Sequence, residues 1–120
     1  MHWAHLAIWA PKAAFEGDIQ LEELIGTTTL QVACMWFTYA VDAMWACVEK
    51  GIQGNDRNSM SELMAQAGTR YEDTKWMGFN KERWDVWVRG LEHVLTLVDA
   101  SDTGTKEMIE TALARAKAVG

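Results

Sequence analysis

The sequence predicts an all-α fold, a single compact bundle of five or six helices spanning residues 1–120 as one domain. Three observations carry this expectation. No stretch sustains the period-two alternation of a half-buried strand. Apolar residues recur instead at three- and four-residue spacing, the signature of one helix face. Glycines and capping residues fall at the ends of those stretches.

The elements follow in order. Residues 2–10 read as a short helix that ends or kinks near Pro11, which lacks the N–H a helix interior needs. "DIQLEELI" follows, with Asp18 as N-cap and Gly26 as stop. A long helix is expected from Thr28 to Lys50, closed by Gly51. "GNDRNS" is a loop, and "SMSELMAQAG" a short helix in which Ser59 and Glu62 have capping-box spacing and Gly68 supplies the end. Residues 69–79 look irregular, with Gly78 ahead of a helix start at Asn80. From Asn80 to about Asp99, Trp84, Trp87, Val88, Leu91, Val94, Leu95 and Val98 fall on one face. After "DASDTG" a last helix, Thr105 to Val119, places Met108, Ile109, Ala112, Leu113 and Ala116 inside.

Composition narrows the function classes. Acids outnumber Lys and Arg by 17 to 11, and the net charge of -6 repels phosphate backbones, so no nucleic-acid partner is expected. The run 24–48 is broken by Thr27, Thr28, Thr29, Gln31, Thr38 and Asp42 and follows Glu22 and Glu23, which argues against a membrane span. The start "MHWAHLAIWAP" lacks a basic stretch and a small-residue cleavage site, so a soluble cytoplasmic chain is expected. Cys34 and Cys47 share one helix, roughly 20 Å apart at 1.5 Å per residue, beyond disulfide reach.

Within the long helix, Gln31, Met35, Thr38, Asp42, Trp45 and Glu49 form its one polar stripe. That stripe either meets water along a narrow seam or lines an internal cleft. In the second case Asp42, beside Trp45 and near Tyr39 in angle, would lose water and favour its neutral acid. Seven tryptophans are the most unusual feature of the composition. They can fill a core, wall a pocket for a flat or greasy ligand, or form an exposed contact surface. Arg83 can lie against Trp87 one turn on, and Gly90 would let another element approach closely. Arg83, Val86, Gly90, His93 and Leu97 share a flank beside the apolar face. His2, His5 and His93 match no metal-binding spacing, and no phosphate loop or nucleophile elbow occurs, so neither a metal nor a cofactor is expected.

The segment Phe79-Asn80-Lys81-Glu82-Arg83-Trp84-Asp85-Val86-Trp87, followed by Leu91, resembles the C-terminal signature of a family of small fungal helical proteins of unknown function. The resemblance implies a helical fold and carries no activity or catalytic residue with it.

Two functional expectations follow. In the first, Trp36, Trp45, Trp84, Trp87 and Arg83 bound a cleft for a small apolar or aromatic molecule, with Asp42 and His93 as acid and base and Tyr39 as donor. In the second, exposed Trp and Met faces serve a non-catalytic interaction module or homodimer.

Overall fold

The computed structural model describes residues 3–51, 68–74, 76 and 78–119. The helices are α1 (Trp3–Phe15), α2 (Leu21–Leu24), α3 (Thr28–Lys50), α4 (Lys81–Leu97) and α5 (Thr103–Val119), with a 3-10 segment at Thr69–Thr74. Among the described residues there is no strand, and the all-α class holds. The loop and short helix expected within 52–67 and the side chains of His2 and His5 lie outside the described residues.

α1 does not end near Pro11, one of the two outcomes the sequence leaves open. It runs through Pro11 to Phe15. A proline inside a helix forfeits a hydrogen bond and costs about 3 kcal/mol. Burial of Ala7, Ile8, Ala10, Ala14 and Phe15 around it offsets that loss. α2 is a single turn whose N-cap is Gln20, with no side-chain hydrogen bond, so Asp18 does not cap it.

Gly26 turns the chain at φ 86°. Thr27 then joins α2 to α3, its hydroxyl donating to Leu24 O at 2.6 Å and accepting from Leu30 N at 3.3 Å. α3 ends as expected at Gly51, left-handed at φ 64°, whose N–H returns to the carbonyls of Cys47 and Val48. Inside α3, Ala40 departs from helical geometry (φ -130°, ψ 17°), one residue after Tyr39.

Asn80 caps α4 by accepting Arg83 N at 2.8 Å, and Asp102 opens α5 by accepting Thr105 N at 3.3 Å. Between them the carboxylate of Asp99 accepts both N–H and O–H of Ser101, which holds its carboxyl below the usual range. α3 lies at the centre, packed on α1 and α5, while α4 packs on α5, α2 and α1. The core takes Leu30, Phe37 and Met44 from α3, Trp84, Trp87, Leu91 and Val94 from α4, and Ile109 and Ala112 from α5. Cys34 and Cys47 are buried free thiols; burial pushes Cys34 up to about 12 and raises Cys47.

Candidate functional site

The aromatic cluster forms where α3 crosses α4. Phe37 meets Trp84 edge-on at 5.2 Å between centroids and Trp87 at 6.2 Å. Trp45 meets Trp84 at 5.3 Å, and Phe79 meets Trp87 at 6.1 Å. Such edge-to-face geometry is favoured by the ring quadrupoles. Trp84 and Trp87 are therefore buried core residues whose faces are taken by other rings. Trp36 and Trp45 are only partly buried and belong to the rim of the core.

Arg83 is not on a flank. Its side chain and that of Glu16 both have 0% exposure. Arg83 Nε donates to Glu16 Oε2 at 2.7 Å, Nη2 donates to Oε1 at 3.0 Å, and Nη1 donates to Gly78 O at 3.0 Å. Trp87 Nε1 donates to Oε2 at 2.6 Å and Gly68 N to Oε1 at 2.9 Å. The Glu16 carbonyl accepts Arg70 N at 3.0 Å. A fully buried ion pair is tolerable only when it is hydrogen-bonded in this manner. The guanidinium also lies 5.6 Å from the Trp87 ring centroid, the expected Arg83–Trp87 approach. Nearby Lys12 titrates below the usual lysine range, through burial first and then repulsion from Arg83, against attraction to Glu16.

Glu16 was not among the expected site residues. An arginine beside two buried tryptophans requires a partner, but any of 17 acids could have supplied it. What selects Glu16 is its place one residue past α1, where Gly68 closes on it. A side chain at position 68 would meet the Glu16 carbonyl oxygen at 2.5 Å and its Cβ at 2.6 Å.

The polar stripe of α3 is exposed at Gln31, Met35, Asp42 and Glu49, and half-buried at Thr38 and Trp45. Asp42 thus lies on a water-facing seam, not in an internal cleft. Tyr39, also on α3, is 82% exposed, and His93 on α4 is exposed. Two clefts flank Met35 and Tyr39. One, of about 360 Å³, is lined by Val32, Met35, Trp36, Tyr39 and Ala40. The other, of about 340 Å³, lies towards α5 and includes Cys34, Thr38, Gly104, Glu107 and Met108. His93 lines a third cleft on α4 with Arg89. Asp42 lines none of these three, and Tyr39 and His93 share none. Among the described residues no His/Cys/Asp/Glu group could hold a metal ion, and no helix is long and apolar enough to cross a membrane.

The chain belongs to the family described as "Protein of unknown function (DUF3632)", whose model matches residues 2–91. That span contains Glu16, Gly68, Gly78, Arg83 and Trp87, so the whole buried network falls within the family's region. No curated protein and no solved structure matches the chain.

Proposed function

We propose that this chain is a non-catalytic association module that pairs with a second copy of itself through the outer face of α3. The observation that carries this reading is the ridge of Met35, 55% exposed, and Tyr39, 82% exposed, standing between two clefts. A ridge flanked by grooves on the same surface is self-complementary: under a two-fold axis, each copy's ridge can enter the other's cleft. Charge favours the same occupant. Two chains of net charge -6 repel unless they meet where charge is sparse. The sequence from Leu24 to Val41 contains no Lys, Arg, Asp or Glu, and Glu107 is the one charged residue among the described side chains that line the two clefts.

An enzyme reading would need Asp42, Tyr39 and His93 around one substrate, and none of the three clefts is lined by more than one of them. Sedimentation velocity across the micromolar range tests the module. A concentration-dependent dimer is expected. Tyr39→Glu should weaken it about 30-fold or more, as loss of a central aromatic anchor worth about 2 kcal/mol does. A strictly monomeric protein, or a dimer indifferent to Tyr39→Glu, refutes the reading.

A further inference from the structure

We propose that the third cleft is a binding site for a small amphiphilic anion: a carboxylate or phosphate monoester on a single ring or short aliphatic body. The cleft, about 220 Å³, is bounded by Phe15, Leu21, Arg70, Tyr71, Val86, Arg89, Gly90 and His93. On α4, positions 86, 89, 90 and 93 have the spacing of one helical face. The remaining walls come from the end of α1, from α2 and from the 3-10 segment.

The chemistry of the walls selects the ligand. Two guanidiniums and an imidazole meet at one opening, and among the described side chains no carboxylate lines it. Elsewhere Lys81 pairs with Asp85 at 2.7 Å, Lys117 with Glu92 at 2.8 Å, and Arg83 with Glu16, while Lys50, Lys106 and Arg115 form no ion pair with a described residue; what sets Arg70 and Arg89 apart is that both line one opening. Arg70 and Arg89 form no ion pair with any described residue, although the chain has six more acids than Lys and Arg together. A cationic pair lining one cleft without an internal counter-ion suits an external one. Planar guanidinium forks match carboxylate and phosphate oxygens.

The site is built before the ligand arrives. Arg70 Nη2 donates to Ile19 O at 3.1 Å, which aims the guanidinium and leaves its other donors for a ligand. Tyr71 stacks on Trp76 at 5.2 Å and 17°, and Trp76 Nε1 donates to Glu82 Oε2 at 3.1 Å, so the Tyr71 wall is braced. The apolar floor depends on Gly90: a Cβ there would lie 2.5 Å from Phe15 Cδ1, so only glycine lets the Phe15 ring seat against α4. Phe15, Leu21 and Val86 then offer an apolar surface next to the cations. The volume is below the 300–1,000 Å³ usual for drug-sized ligands, which limits the body to about one ring.

The test titrates the full chain with benzoate, phenyl phosphate, benzyl alcohol and inorganic phosphate, followed by calorimetry and by the NMR shifts of the Gly90 amide and the arginine Nε–H groups. Benzoate or phenyl phosphate should saturate with Kd near or below about 1 mM and move the Gly90 amide. Which of the two binds tighter distinguishes a carboxylate from a phosphate head. Benzyl alcohol and inorganic phosphate should bind at least about tenfold more weakly, since each lacks one half of the recognition. Arg89→Gln should weaken binding about tenfold or more, the scale of a charge-assisted hydrogen bond; Arg89 is exposed, so its fold is retained, and a helical circular dichroism spectrum verifies this. His93→Gln, also at an exposed position, gives a second reading of the same wall. The proposal is overturned by no saturable response below about 10 mM, by equal affinity in Arg89→Gln and wild type, or by inorganic phosphate binding as tightly as phenyl phosphate.

Discussion

Glu16→Gln should be among the most damaging single-atom changes available in this chain. The carboxylate accepts four hydrogen bonds between 2.6 and 3.0 Å, from Arg83 Nε and Nη2, Trp87 Nε1 and Gly68 N. Two donors converge on each oxygen. Glutamine keeps one oxygen and replaces the other with an NH₂ group, so in either amide orientation two donors face a donor. The Arg83 charge meanwhile stays buried without its counter-ion. Breaking a buried ion pair by removing one partner costs about 3–5 kcal/mol. Stability for 120 residues is about 6–18 kcal/mol at 0.05–0.15 kcal/mol per residue. The variant should therefore fold, but with a large share of its stability gone. In urea, followed by tryptophan fluorescence, a loss of about 4 kcal/mol at an m-value of about 2 kcal/mol/M lowers the midpoint by about 2 M. The double variant Glu16→Leu/Arg83→Met should lose less than the sum of its singles, because no charge is then left alone. A Glu16→Gln loss below about 1 kcal/mol, or additive singles, would refute the claim that the pair pins the fold.

The glycines at 68 and 90 should separate by mechanism. Gly68→Ala drives a Cβ into Glu16 backbone and should cost more than the roughly 1–3 kcal/mol of ordinary overpacking, whereas Gly90→Ala meets only the Phe15 ring and should stay within that range by chemical denaturation. The buried thiols should resist a soluble disulfide reagent at pH 8 and react fully in urea; a burst from the native protein would place Cys34 at the surface. Because burial raises Cys34 to about 12, the fold favours its neutral form. That contribution is complete below the unfolded thiol value of about 8.5 and is lost as pH climbs towards 12. Dimerisation should strengthen as salt rises, since screening removes repulsion between two acidic chains while leaving apolar contact intact; weakening with salt would show that ion pairs hold the interface.

Helix periodicity made most of the fold legible. α4 shows why: Trp84, Trp87, Leu91 and Val94 are apolar at helical spacing, and all four are buried. Pro11 does not end its helix because local propensity weighs one lost hydrogen bond, whereas burial on both sides of the proline decides the outcome. Two charged residues show the limits of spacing: for Asp42 it leaves both a solvated seam and an internal cleft open, and it sets Arg83 on a flank. Asp42 sits amid apolar sequence, yet exposed residues on a central helix can themselves be apolar, as Met35 and Tyr39 are. Arg83 sits among charged neighbours, and what buries it is the partner across 67 residues of chain. Sequence spacing describes one helix face at a time, and a long-range pair belongs to no single face.

That pair also explains how the α4 cleft comes to exist. Phe15 immediately precedes Glu16, so fixing the carboxylate fixes the ring that fills the notch at Gly90. The Glu16 carbonyl holds Arg70 N, and its carboxylate holds Gly68 N, so the segment that carries Arg70 and Tyr71 is tied to the same residue. Val86, Arg89, Gly90 and His93 follow Arg83 on α4, whose end is anchored by the guanidinium. Elements far apart in sequence thus converge on one buried charge, and the cleft opens where they meet. A wholly apolar pin of equal volume could hold the helices at similar stability. It would lack the directional acceptors that hold Gly68 and Trp87. The buried pair is accordingly a positioning device as well as a structural one, tying the segment that carries Arg70 and Tyr71 to the start of α4.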